Sequence, residues 1–378
     1  MISSSSYPYP RWAFAPARRC KGRIIIGNRT FVDFANWDIL GLNENASVIR
    51  YIQSEVAASG VGSCSSRAWG GTTYAHQNCE ARLAQFLLTE TSLLFSSRPQ
   101  ALTSALGVML AGGGVLFCEK SSFPLISDIA LLLGVESREF VFDRLDLLAS
   151  ALGVVRGHGY SSLVVFIESL ADDRLSLPDL AALHQLCSFH RAELCVDESS
   201  SLGILGVRGA GGLDDAQIIK SAPTIIASLG RGFGGYGAVV AGKSSFIEKI
   251  AQSSHTTSVE VATPPILSLF ALAVAEVVEG AVTARSICRE LARELYTTAI
   301  IEGYEVHGDP RVPIIDLVFS SREELTQCHK FLFDRGIYVS QLPGRLRFIV
   351  NLGVGEKDIV HVRETLAAFK VIRDRSFS

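Results

Sequence analysis

Short apolar, β-branched runs alternate with longer stretches of helical periodicity through most of the chain. That alternation restricts the possible folds more than any other feature. The runs are Val115–Phe117, Ser162–Ile167, Glu193–Val196, Thr224–Ala227 and Ala238–Ala241. They are too short for helices and suit fully buried strands. Between and before them lie the helical stretches Asn45–Ala57, Cys79–Thr89 and Leu177–His190. Strands joined through helical crossovers lie parallel, so the chain is expected to be α/β with a mainly parallel sheet. After Thr263-Pro264-Pro265 the pattern changes. An Ala-, Val- and Leu-rich helix begins near Ile266 and ends by about Gly280, and a second covers Ala284–Glu302. Then come Val312–Phe319, the helix Glu323–Arg335, Arg345–Asn351 and the helix Glu356–Phe369. The expected division is an arm at residues 1–35, a large domain at 36–265, and an interdomain helix with a small C-terminal α+β domain at 266–378.

Composition closes several other possibilities. Of 378 residues, 48% are hydrophobic and 19% charged, enough apolar surface to fill a core and too little charge for wholesale disorder. The net charge of −3 lacks the basic surplus of a nucleic-acid binder. Eight cysteines are scattered without a CxxC, which points to a reducing compartment. The Ser- and Arg-bearing first residues contain no acid and lack a basic-then-apolar signal pattern, which leaves a transit peptide as the alternative to a plain arm. The longest uncharged stretch, Pro99–Cys118, contains Gly112-Gly113-Gly114 and is read as a buried helix, a turn and a strand rather than a membrane span. No transmembrane span is expected, and the chain is assigned to the cytoplasm.

Four constellations carry possible chemistry. Cys195-Val-Asp-Glu-Ser-Ser-Ser-Leu-Gly203 places two acids directly after a strand, where open α/β sheets bind ligands. Asp197 there suits a protonated ring nitrogen, although an acidic turn or helix cap is the plainer reading of that residue alone. Ser228–Gly237 contains GxGxxG at Gly232, Gly234 and Gly237, but a strand follows instead of a helix, so the dinucleotide reading fails. Its glycines permit close backbone approach to a ligand or another chain segment. Gly60–Thr73 is a hydroxyl-rich loop, either an anion cradle or plain surface. His184, Cys187 and His190 spread too widely around a helix to favour one zinc ion.

Taken together the segments resemble the α-oxoamine synthases, fold-type-I pyridoxal-phosphate (PLP) enzymes that join an amino acid to an acyl-CoA with loss of CO₂. The family's N-[YF]-L-G-L is resembled by Asp38-Ile-Leu-Gly-Leu42, and its G-x-G-x-x-x-S-R-x-x-x-G-T-T-x-x-H-x-x-L-E by Gly60 through Glu80 without a gap. D-E-A-H-S-x-G is resembled by Asp197–Gly203, and T-L-S-K-A-F-G-G-Y-G by Ser228–Gly237. Pro264-Pro265 and Arg345-Leu-Arg347 match late elements. The resemblance spans roughly residues 30 to 370. It implies an aspartate-aminotransferase-like fold: a mainly parallel seven-stranded sheet with helices on both faces, plus the small C-terminal domain. It also implies cofactor-binding positions at Asp197, Ser200, Phe123, Ser228 and Arg231, and a substrate-carboxylate position at Arg347. The loop residues Cys64, Arg67, Thr72 and Thr73 would be lent to a partner's pocket.

The departures from the family are concentrated at the cofactor. The Schiff-base lysine falls on Arg231, whose guanidinium stays protonated and forms no imine. The stacking histidine falls on Phe123, the His of D-E-A-H on Ser200, the phosphate-binding Thr on Val261, and the Gly of F-S-S-G on Arg98. This pattern resembles the non-catalytic long-chain-base subunit of serine palmitoyltransferase. The expected function is therefore that of a non-catalytic half of a heterodimeric acyltransferase in sphingoid-base synthesis. Its lysine-bearing partner would hold the PLP, the amino acid and acyl-CoA would meet at the shared interface, and attachment would be peripheral at the endoplasmic reticulum. The alternatives are a regulatory pseudoenzyme, or an active homodimeric synthase using another lysine, with Lys220 and Lys243 nearest in sequence.

Overall fold

The computed structural model describes residues 16–376 apart from 174, 222 and 254–257. The first half of the N-terminal arm, and with it the transit-peptide reading, lies outside the described residues. Contacts divide the chain into two units, one formed by residues 1–41 with 286–378 and the other by residues 42–285.

The first unit opens with β1 (Ala17–Cys20), β2 (Arg23–Ile26) and β3 (Arg29–Asp33). The second unit contains β4 (Thr91–Phe95), β5 (Gly114–Glu119), β6 (Glu136–Phe140), β7 (Ser162–Glu168), β8 (Glu193–Asp197), β9 (Thr224–Ser228) and β10 (Ala238–Gly242). The first unit then resumes with β11 (Glu305–His307), β12 (Ile314–Val318), β13 (Ile337–Tyr338), β14 (Ser340–Leu342) and β15 (Arg345–Ile349).

The seven strands of the second unit form one sheet in the order β4-β10-β9-β8-β7-β5-β6. β10 runs against both of its neighbours, and the pairs from β9 through to β6 are parallel. This is the expected mainly parallel seven-stranded architecture. The central strands are continuous apolar runs because helices cover both faces, and residues such as Val164, Val165, Phe166, Cys195 and Ile226 are buried. Pro99–Cys118 supplies the helix Arg98–Met109 and β5, both built into that core. Two strands of this sheet escaped the sequence reading. β6 (Glu-Ser-Arg-Glu-Phe) is a charged edge strand with only Phe140 buried, so it shows no apolar run. β4 is the other edge, running on closely from the helix Tyr74–Phe86. The helix Pro265–Gly280 packs within the second unit, on the helices Ala46–Ser59 and Tyr74–Phe86.

In the first unit the sheet β11-β12-β15-β14 packs against the helices Arg322–Asp334 and Glu356–Ser376 around Leu317, Leu332, Phe348 and Leu366. β3 pairs in parallel with β13, so the N-terminal strands belong to the C-terminal fold. Among the described residues no single helix is long and apolar enough to cross a membrane, all eight cysteines are free, and no three His, Cys, Asp or Glu side chains gather as a metal site.

Candidate active site

The site is built at the carboxyl ends of β7 and β8. Glu168 and Asp197 are the last residues of these strands and stand opposite each other in the parallel register. Two carboxylates one strand apart repel, and burial worsens the repulsion. Arg98, the first residue of the helix that follows β4, resolves the conflict. Its Nε donates to Asp197 Oδ2 at 2.7 Å and its outer nitrogen to Glu168 Oε1 at 2.5 Å. The Asp197 side chain is wholly buried and Arg98 is 19% exposed. Burial works against the Arg98 charge, but the Asp197 and Glu168 carboxylates outweigh it and hold the guanidinium protonated more firmly than usual. Burial, and then the Asp197 charge, push the Glu168 carboxyl upward, while Arg98 opposes them. The other Asp197 oxygen accepts from the Ser199 amide at 2.8 Å.

Arg231 lies in the turn after β9, and its guanidinium donates to Ser200 Oγ just beyond β8. Ser228 ends β9, and its amide donates to Ser199 Oγ at 2.8 Å. Arg231, Ser200, Ser228, Asp197 and Arg98 are thus gathered at one end of the sheet. Phe123 is half-buried against the sheet's own core. The glycine-rich loop meets the chain itself: a Cβ on Gly232 would stand 2.1 Å from the Leu202 carbonyl oxygen. Beneath the site Glu198 is fully buried, and burial raises its carboxyl. It accepts from the Gly212 and Leu213 amides at 2.7 and 2.8 Å and from the Ser169 and Ser201 hydroxyls, which makes it a satisfied structural anion.

The Gly60–Thr73 loop is stitched to the segment before the Pro265 helix. Ser63 Oγ donates to the Thr263 carbonyl at 2.8 Å, and the Ala262 amide to the Ser65 carbonyl at 2.9 Å. Arg67 is engaged inside the chain, bidentate to Glu80 at 2.9 Å on both arms and donating from Nε to Thr72 Oγ1 at 3.1 Å. Thr73 caps the helix Tyr74–Phe86 in a capping box with His76. The Thr73 amide donates to His76 Nδ1 at 3.1 Å, so Nδ1 is unprotonated and Nε2 donates to the Thr263 carbonyl at 2.6 Å. Burial, and then Arg67, lower the His76 pKa to about 4. Cys64 is exposed, with a positive φ of 58°. Val261 is 51% exposed. Arg347, expected to meet a substrate carboxylate, is spent on the chain's own: Asp316 stands directly opposite it on β12 and takes both arms at 2.8 and 2.7 Å.

Lys220 and Lys243, the lysines nearest Arg231 in sequence, do not reach this end of the sheet. Lys220 lies in the short turn before β9 begins, and Lys243 follows the end of the antiparallel β10, beside the first residues of β8 and β9. Sequence reasoning missed Glu168 and the pairing of Arg98 with both acids. A signal was available, since β7 ends in an acid just as β8 does.

No family profile matches the chain. It is 27% identical over 350 residues to 8-amino-7-oxononanoate synthase of Marinobacter nauticus, covering 90% of this chain and 87% of the relative. It is 28% identical over 352 residues to the enzyme of the same name from Alcanivorax borkumensis, covering 91% and 89%. Among solved structures, Sphingomonas wittichii serine palmitoyltransferase superposes with a TM-score of 0.86 at 18% identity, covering 94% of this chain and 90% of that one. 8-Amino-7-oxononanoate synthase of Francisella tularensis gives 0.76 at 21%, covering 91% and 99%. Together these comparisons support the α-oxoamine synthase family and its fold. They correct the expected function. The curated relatives consistently carry the name 8-amino-7-oxononanoate synthase over about nine-tenths of the chain, which overturns the reading as a non-catalytic serine palmitoyltransferase subunit. That reading rested on the substitutions at the cofactor positions, Arg231 foremost, and on the loops Gly60–Cys64 and Asp197–Gly203 to separate it from a generic synthase, where few residues carry the distinction.

Proposed function

We propose that the chain is a regulatory pseudoenzyme of the α-oxoamine synthase family, similar to the 8-amino-7-oxononanoate synthases, which keeps the synthase fold without holding a working cofactor. One observation carries this reading: Arg98 occupies Asp197. PLP needs a carboxylate free to pair with its protonated ring nitrogen and a lysine amine to form the imine. Here the Asp197 carboxylate is bonded at 2.7 Å to a cation of the same chain, and Arg231 stands in the resembled lysine position, bonded to Ser200. A buried Asp–Arg pair supplies internally the charge that the cofactor's ring would supply. The residues present do not fit PLP.

A second reading, an active synthase using another lysine, is favoured by the uniform name of the curated relatives. It requires an amine at the carboxyl end of the sheet. Lys120 meets that condition: it follows the last residue of β5, and its amide donates to the Phe140 carbonyl at 2.9 Å.

Both readings are tested on the purified chain. PLP is added, the imine absorbance is recorded, borohydride is applied, and the intact mass and modified peptide are determined. The pseudoenzyme reading expects no stable adduct in the wild type and a gain of one on residue 231 in the doubly substituted Arg98→Gly, Arg231→Lys protein. A stoichiometric wild-type adduct on Lys120 would replace it with the synthase reading.

A further inference from the structure

The opposite end of the seven-stranded sheet carries a cleft that plays no part in the candidate active site. It has a volume of about 420 Å³ and opens where β8 and β9 begin. The helix Leu180–Phe189 contributes His184 and Cys187, β8 contributes Glu193, and the turn and helix after β10 contribute Lys243, Phe246 and Lys249. The volume falls within the roughly 300–1,000 Å³ typical of small-molecule sites.

The charges in this cleft do not balance. Two ammonium groups and an imidazole face one carboxylate. Among the described residues neither Lys243 nor Lys249 is in an ion pair. Burial raises the Glu193 carboxyl, and Lys243 and Lys249 both act against that rise, which places both ammonium groups within electrostatic reach of Glu193. One carboxylate neutralises one of them. The cleft keeps a net charge of +1 and two ammonium donors, which favours an anion with several acceptor oxygens. A phosphomonoester carries about −1.5 to −2 at neutral pH and offers three acceptor oxygens. The wall formed by Val108, Met109 and Phe246 is apolar, suited to an organic body and not to a bare ion.

We infer that this cleft binds a small phosphomonoester, with the phosphate held between Lys243 and Lys249 and the organic part against Phe246. The site is independent of whether the chain performs synthase chemistry, because Asp197 lies at the other end of β8. His184 and Cys187 also line the cleft, but among the described residues no three His, Cys, Asp or Glu side chains gather as a metal site.

The test is titration calorimetry on the full chain with glycerol 3-phosphate, inorganic phosphate and glutarate. Glycerol 3-phosphate is expected to saturate one site with a dissociation constant below about 1 mM. Phosphate and glutarate are each expected to bind about tenfold more weakly, or worse. The substitutions Lys243→Gln and Lys249→Gln together should weaken the ester about tenfold without shifting the melting temperature, while the two Lys→Arg changes retain binding. Raising the salt from about 0.05 to 0.5 M should weaken it further. Absence of saturation, equal binding of phosphate or glutarate, or indifference to the paired Gln substitutions would each overturn the assignment.

Discussion

Arg98 is the residue on which the candidate site turns, and its removal has a calculable consequence. Breaking a buried ion pair by deleting one partner costs about 3–5 kcal/mol, because the charge left behind stays desolvated. Here two carboxylates are left, Asp197 and Glu168. Arg98→Met should therefore lower the unfolding free energy by about 3 kcal/mol at neutral pH. The deficit should shrink as the pH falls toward 5, because the stranded acids take up protons more readily in the folded variant than in the unfolded chain. Urea titrations at two pH values measure both effects, and a variant as stable as the wild type would remove the pair from the account of this site. His76 makes the converse case. Its folded pKa of about 4 lies below the ordinary 6.5, so the unfolded chain binds the extra proton between those values. The stability contributed by neutral His76 is intact above 6.5 and is lost as the pH falls from there toward 4, up to about 3 kcal/mol in all. His76→Gln should flatten the pH dependence of stability across that window. Neither residue could be assigned its partner from sequence. Arg98 and Asp197 are separated by 99 positions, and His76 meets Thr263 across 187.

At the scale of elements, the strands the sequence showed clearly were those buried on both faces. β7, β8, β9 and β10 are continuous apolar runs because helices cover the sheet. β6 stayed hidden because an edge strand bears charges on its exposed side, and β1 because Ala-Arg-Arg-Cys has no apolar face. The glycine-rich loop after β9 was half legible. Its composition announced a close approach, and the structure identifies the partner as the turn after β8. A Cβ on Gly232 would stand 2.1 Å from the Leu202 carbonyl oxygen, and one on Gly203 2.7 Å from the Gly232 carbonyl oxygen. The obstacle is backbone on both sides and cannot rotate away. Gly232→Ala should therefore force the two turns apart, displace Arg231 from Ser200, and cost about 1–3 kcal/mol. Thermal melts give the cost. Protease cleavage within residues 228–237 should accelerate as the loop loosens, whereas unchanged cleavage would mean that the loop accommodates a methyl group.

At the scale of the molecule, the chain's two units differ in how much of them a linear reading can recover. The unit at residues 42–285 is continuous, so its alternation of strands and helices shows in order along the sequence. The other unit is assembled from both ends of the chain, and no local pattern joins Val32 to Ile337. The N-terminal segment is nevertheless integral to it. Phe34 is fully buried in its core beside Leu317, Phe348 and Leu366. Phe31 stacks on Phe333 at 4.5 Å. The Val32 amide donates to Gly336 and the Phe34 amide to Tyr338, at 2.8 and 2.9 Å, while Asn351 donates to the Asp33 carbonyl at 2.8 Å. Loss of one buried Phe side chain costs about 3–5 kcal/mol, against a total of about 5–15 kcal/mol for a typical domain. A unit this small has little surplus, and omitting residues 16–41 removes two buried Phe side chains together with these backbone bonds. The fragment 286–378 expressed alone should therefore show helical circular dichroism without a cooperative thermal transition, and a peptide covering residues 16–41 should restore one. Cooperative melting of the isolated fragment would show instead that the four-stranded sheet β11-β12-β15-β14 and the three helices packed on it are sufficient, and that β1–β3 join a unit already folded.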